Sequence, residues 1–228
     1  MISPKSNAID FLRHLPLFDD LTEEELQPIN ALVKYKKVTK HNYIFKAGDQ
    51  SDAVFFLIKG TIKIGNHSDE GREVIKRILH PMAMFGELSM VGEEKRQDFA
   101  IAMNEPAQLY VIKTSDLRRV MQTNYKLSLR LLNVIGSRLR DVEGRLESLI
   151  FKDARERIID FLKDSASKQG KKIGYELLIK HCLTQQDIAN ITGTSRQTVT
   201  SVLNDLRKSN LIYFNRRSIL IRDIAKLS

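Results

Sequence analysis

Hydrophobic and polar positions follow three different rhythms along this chain. Up to about residue 33, short helical patterns alternate with breaks, as in Leu17-Phe18-Asp19-Asp20-Leu21-Thr22-Glu23-Glu24-Glu25-Leu26. Thr22 and Glu25 stand there at the spacing of a capping box, in which hydroxyl and carboxylate each accept from the other's backbone N–H. From about 35 to 113 the rhythm shortens to β-branched and aromatic runs: Tyr43-Ile44-Phe45, Val54-Phe55-Phe56-Leu57-Ile58, Thr61-Ile62-Lys63-Ile64 and Leu109-Tyr110-Val111-Ile112, punctuated by Ala47-Gly48-Asp49 and Gly60. Many short strands with turns between them predict a jelly roll or related β-barrel.

The third rhythm is helical and runs unbroken from Ser115-Asp116 to about Ile150. Within it Leu132, Ile135, Leu139, Val142, Leu146 and Leu149 are spaced 3, 4, 3, 4, 3. That is a heptad seam, and a stripe so narrow, with Arg138, Arg140, Glu143 and Arg145 on its flanks, predicts a homodimer closed by two copies of the helix. Packing of the same stripe against the β domain of its own chain is the alternative. A break at Phe151-Lys152-Asp153 follows, with Asp153 as cap of a helix from Ala154 to about Ser165, and a hinge is expected there. Ser167 to Lys172 reads as a polar loop. Ile212-Tyr213-Phe214 and Ile219-Leu220-Ile221, around Asn215-Arg216-Arg217-Ser218, read as a β-hairpin wing. The resulting organisation is α+β: a sensor-sized β domain over 1–115, a dimerisation helix and hinge over 116–152, and a C-terminal domain over 153–228.

The last domain contains the most informative stretch, Leu183 to Leu203. Ala189 is small enough for two helices to cross closely, and Gly193 permits the positive φ of a tight turn between them. Thr184 and Asp187 suit a cap on the first helix and Ser195 a cap on the second, while Ile188, Val199 and Val202 fall on the apolar faces. This is the pattern of a helix-turn-helix, whose second helix enters the major groove of DNA by its N-terminal turns. Arg196, Gln197, Thr198 and Ser201 lie on those turns, and Arg and Gln suit bidentate contacts with guanine and adenine. Thr184, Gln186 and Ser195 at the helix starts are expected to join them in contacting DNA. Arg216 and Arg217 at the wing tip are placed for phosphate contact without sequence information. A helical hairpin used only for packing, with a basic turn that touches nothing, is the bland alternative.

Charge favours the DNA reading. Lys and Arg number 37 against 28 Asp and Glu, a net +9, with an isoelectric point near 9.6. Residues 153–228 hold 14 basic and 8 acidic groups, so the excess gathers where the helix-turn-helix lies. Cys182 is the single cysteine, too few for an internal disulfide or the four thiolates of an iron-sulfur cluster. No apolar run is long enough to cross a membrane and no secretory leader pattern opens the chain, so a cytoplasmic location is expected. No Ser-His-Asp set, metal-ligand spacing or phosphate loop appears, which points away from an enzyme.

Ile44-Phe45-Lys46-Ala47-Gly48-Asp49, Phe55-Phe56-Leu57-Ile58-Lys59-Gly60, Phe85-Gly86-Glu87-Leu88 and Thr194-Ser195-Arg196-Gln197-Thr198-Val199 together resemble the CRP/FNR family of bacterial transcription regulators. The resemblance covers the whole chain. It implies a β-roll of the cyclic-nucleotide-binding kind, a dimer helix, a winged helix-turn-helix on a near-palindromic operator, and RNA polymerase as a further partner. It also implies an effector pocket around Gly86, Glu87, Leu88, Arg96, Gln97 and Asp98.

Family members that bind cyclic AMP follow Gly-Glu-Leu with a short loop and then Arg-Ser-Ala, where Arg and Ser neutralise the phosphate. Here an ungapped count from Glu87 puts Gln97 in the Arg position and Asp98 in the Ser position, and an unpaired Asp98 carboxylate would repel a phosphate. One deletion restores Arg96 to that place. The adjacent Thr and Ser that hold adenine across the dimer in those members are matched by Val142 and Glu143. These departures argue against cyclic AMP. Haem, with His80 or Met82 as axial ligand, another small effector, or no effector at all remain as alternatives, with a solvated His and core-filling methionines as the plain reading of those residues. The recognition helix departs too: the best-known member carries Arg-Glu and a second Arg where this chain has Arg196-Gln197 and Ser201, so a half-site other than TGTGA is expected.

Overall fold

Strand β3 (Ala53–Lys59) is buried from Ala53 to Leu57 with no alternation, because both of its faces are covered. Val54 and Phe56 point into a core shared with helices, alongside Leu12, Phe18, Leu26 and Ile29. Phe55 and Leu57 point the other way, into the space between two sheets, with Phe45, Ile62 and Phe85. A strand covered on both sides needs a continuous apolar run, as Val54 to Ile58 supplies.

The computed structural model describes residues 8–227. The chain runs α1 (Ala8–Arg13), α2 (Glu23–Leu32), β1 (Lys34–Val38), β2 (Tyr43–Phe45), β3, β4 (Ile62–His67), β5 (Glu73–Leu79), β6 (Met84–Phe85), β7 (Phe99–Ala102), β8 (Ala107–Lys113), α3 (Thr114–Thr123) and α4 (Tyr125–Phe151). It continues through α5 (Ala154–Gln169), β9 (Lys171–Ile173), β10 (Glu176–Lys180), α6 (Gln185–Thr192), α7 (Arg196–Lys208), β11 (Ile212–Phe214) and β12 (Ser218–Ile221). Two sheets, ordered β1-β8-β3-β6 and β2-β7-β4-β5, form the roll, and a third, β11-β12-β10-β9, belongs to the C-terminal part. The chain divides into two compact units, one comprising residues up to 66 and 76–141, the other residues 67–75 and 142 onward.

The helical stretch after Ser115 is two helices, not one. Asn124 leaves the helical region, at φ −133 and ψ 95, and its side-chain oxygen accepts the amide of Lys126 at 3.1 Å. Its Nδ2 donates to Glu25 at 3.1 Å. An Asn that satisfies a following N–H through its own side chain offers the backbone an alternative to the helix, and the break follows. The expected polar loop over 167–172 is also absent: α5 continues to Gln169 and Lys171 already belongs to β9.

On α4, Leu132, Leu139, Val142, Leu146 and Leu149 are each more than half exposed. Ile135 differs, because it is half-buried against the helical core of the first unit. The second unit packs around Ile158, Leu162, Ile188, Val199, Leu203, Leu206 and Ile219.

Candidate nucleic-acid interface and effector pocket

Helices α6 and α7 meet through the residues their sequence makes small or apolar. Ala189 is fully buried at the crossing, with Ile188, Val199, Val202, Leu203 and Leu206 around it. Gly193 ends α6 at φ 62 and ψ 45, the left-handed conformation that glycine adopts without steric cost, and its N–H returns to the Ala189 carbonyl. Thr184 and Asp187 form a reciprocal capping box, and Asp187 also accepts the Thr184 hydroxyl proton at 2.7 Å. That hydroxyl therefore serves the helix start. Ser195 caps α7, accepting the Thr198 amide at 3.0 Å, and Gln186 donates to Asn190 at 2.8 Å.

With the apolar side of α7 buried, its other side is open. Arg196, Gln197, Thr200, Ser201 and Asn204 line one shallow concavity, and Arg196, Gln197 and Ser201 are exposed. Thr198 is half-buried, its hydroxyl 2.8 Å from that of Ser195. On the wing, Asn215 Oδ1 accepts the amides of Arg217 at 2.9 Å and Ser218 at 3.0 Å, which shapes the turn and leaves Arg216 and Arg217 exposed.

The loop after β6 builds the other candidate site. Gly86 is at φ 77, and a Cβ there would meet the Ala53 carbonyl and the Phe55 ring at 3.0 Å and Arg96 Nη1 at 3.1 Å. Glu87 is 2% exposed, faces Arg77 at 3.7 Å, and is in direct contact with Arg138 of α4. Its Oε2 has no hydrogen-bond partner among the described residues. Burial, reinforced by Arg77 and opposed by Asp141, pulls the Arg138 guanidinium down to about 9. Burial likewise lowers Arg77, against Asp98 and Asp141. Leu88 is exposed.

Arg96 is turned inward and is 4% exposed. Its guanidinium donates to the carbonyls of Gly86 at 3.0 Å and of Ala53, pairs with Glu93 at 3.3 Å, and lies 4.6 Å over the Phe45 ring. Burial holds it below its ordinary value, with Glu93 opposing. Gln97 is exposed. Asp98 is not the unpaired carboxylate expected from the sequence, because Lys76 pairs with it at 2.6 Å. His80 follows the end of β5 and is half-buried, while Met82 sits at φ 74 in the next turn, 36% exposed. Among the described residues, no cluster of three or more His, Cys, Asp or Glu is placed to hold a metal ion. Among those residues, too, no helix is long and apolar enough to cross a membrane.

Two family models match this architecture: a cyclic nucleotide-binding domain over residues 35–124 and a Crp-like helix-turn-helix domain over 156–228. A CRP-like cAMP-activated global transcriptional regulator of Mycobacterium tuberculosis is 31% identical over 205 residues, 90% of this chain and 88% of the relative. This chain belongs to the CRP/FNR family of transcription regulators. A global nitrogen regulator of Nostoc is 29% identical over 83% of this chain and 85% of its own. Among solved structures, a CooA mutant from Carboxydothermus hydrogenoformans superposes with a TM-score of 0.73 at 24% identity, covering 86% of this chain and 87% of that one, a likeness of fold.

Within this CRP/FNR frame, Arg96 rather than Gln97 is the side chain beside Gly86. Sequence reasoning passed over Arg77 and Arg138, which surround Glu87, and Asn204, which shares the face of Gln197. Arg138 was visible only as a flank of the seam, since its approach to Glu87 depends on how α4 lies on the roll. Asn204 carried a signal: it follows Gln197 by seven residues, two helical turns.

Proposed function

We propose that this CRP/FNR regulator acts as a homodimer that reads a near-palindromic operator through α7 and answers to a small effector other than cyclic AMP, bound in the β-roll. The observation that carries the DNA reading is the open face of α7: Arg196, Gln197 and Ser201 stand exposed over a buried apolar side that fixes their backbone. Side chains held so on a helix, near its positive N-terminal end, suit base edges in a major groove. Arg216 and Arg217 add phosphate contacts.

Dimerisation is supported by the apolar seam of α4, exposed over five of its six positions. One recognition helix spans few base pairs; two related by a dyad read a palindrome. The proposed domain limits are those of the sequence, 1–115, 116–152 and 153–228. RNA polymerase enters as the partner expected of a regulator of this family, and the interior of the cell as its place.

Against cyclic AMP stands the engagement of the pocket's own charges. Arg96 is committed to Gly86, Ala53 and Glu93, and Val142 has no hydrogen to donate to adenine. An effector would act through its different affinity for the two dimer arrangements.

The experiment is selection of duplexes from a random library by the purified protein, followed by titration of the selected site with no addition, with cyclic AMP and with haem. Selection of a palindrome, with unchanged affinity on adding cyclic AMP, is expected. A failure to enrich any sequence, or a cyclic-AMP-dependent rise in affinity, overturns the corresponding part.

A further inference from the structure

We infer that Asn204 reads a base, selecting an adenine at one position of each half-site. This rests on the DNA-binding reading above and extends it to a residue deeper along α7. Arg196, Gln197, Thr200, Ser201 and Asn204 line a single concavity. The last four follow one another in steps of 3, 1 and 3 residues, the steps by which homeodomain recognition helices present residues to the major groove. At about 100° per residue, Asn204 lies within about 20° of Gln197 around the helix, so a pose that turns Gln197 to the bases turns Asn204 to them as well. Seven residues at about 1.5 Å place it roughly 10 Å further along, about three base-pair steps away.

The polar groups of this face are not equally available. The Thr200 hydroxyl lies 2.7 Å from Gln185 Oε1 and 2.8 Å from the Arg196 carbonyl, and has one proton for the two. It ties α7 to the start of α6. Among the described residues, the side chains of Arg196, Gln197, Ser201 and Asn204 make no hydrogen bond or ion pair. The backbone of Asn204 is fixed by its buried neighbours Val202, Leu203 and Leu206, so its short side chain has little freedom to lose on binding. It offers a donor and an acceptor side by side, the pair that meets adenine N7 and N6.

The test uses the full chain and site selection from a random duplex library for the wild type, N204A and N204D, followed by titration of duplexes substituted one pair at a time. For N204A, affinity for the preferred site is expected to fall about 5- to 150-fold, with preference flattened at one pair per half-site and retained elsewhere. N204D should move that position towards cytosine, whose N4 amine donates to a carboxylate. Equal loss on every sequence would make Asn204 a phosphate contact and overturn the inference. So would unchanged selection by both variants. If the wild type itself enriches no sequence, the DNA-reading proposal falls first; if the wild type selects and the variants select alike, only the Asn204 assignment falls.

Discussion

Arg157 of α5 donates from Nε to the carbonyl of Thr192, the last residue of α6, at 2.9 Å. The same guanidinium reaches the Gly193 carbonyl at 3.2 Å and the Lys152 carbonyl at 2.7 Å. Carbonyls at a helix C-terminus have no intrahelical donor, and a planar cation with several N–H groups satisfies them together. Arg157 therefore fastens the helix-turn-helix to the segment where α4 gives way to α5. Arg157→Ala is expected to destabilise the DNA-binding unit by about 2 to 3 kcal/mol. Lys at this position should restore less than half, because an ammonium lacks the fork. Denaturant unfolding of the three proteins decides it.

Gly193→Ala tests the turn. A Cβ at φ 62 would stand 3.2 Å from Leu149 Cδ2, and the left-handed conformation costs an L-residue about 1 to 2 kcal/mol. A fall in stability of that order, with weaker operator binding, is expected from thermal melts and titrations. An unchanged melting temperature would mean that the turn relaxes without penalty.

His181 gives the second unit a pH dependence. Its Nδ1 accepts the Leu183 amide at 3.2 Å, a role only the neutral ring can play, and its Nε2 is buried without a hydrogen-bond partner among the described residues. Burial pushes its pKa below the ordinary 6.5. The unfolded chain takes up a proton there before the folded chain does, so the contribution is complete above about pH 6.5 and declines as pH falls towards the folded value. His181→Asn keeps an acceptor for Leu183 and cannot titrate. Stability measured at pH 7.5 and pH 5 should drop further for the wild type than for the variant; equal drops would remove His181 as the source.

Leu139→Glu with Leu146→Glu tests the seam. Both leucines are more than half exposed on α4, so charges there leave the single chain intact and oppose pairing. Sedimentation should report monomers at micromolar concentration with unchanged helix content, and operator affinity should collapse. A double variant that still sediments as a dimer would place the interface elsewhere.

What could be read from the residues alone was local. Thr22 with Glu25, Asp153 with Glu156 and Thr184 with Asp187 each form a cap, because the partners lie three residues apart. The wing strands and the heptad spacing were legible for the same reason. The break at Asn124 was not, since a continuous apolar period hides an Asn that turns to its own backbone and to Glu25. Nor was the inward course of Arg96. Its acceptors are Gly86 and Ala53, ten and forty-three positions away, and only the closed roll brings them together. Asp98 and Lys76 stand twenty-two positions apart, and the roll that brings them together turns an expected bare carboxylate into half of an ion pair.

Closed by a second chain as proposed, the open seam of α4 would also tie this regulator to its own abundance. If two chains must close it before an operator is gripped, dilute protein fills operators in proportion to the square of its concentration. A twofold rise in synthesis then yields roughly a fourfold rise in occupancy. The amount of protein made becomes a second input beside any effector, entered through five bare side chains on one helix.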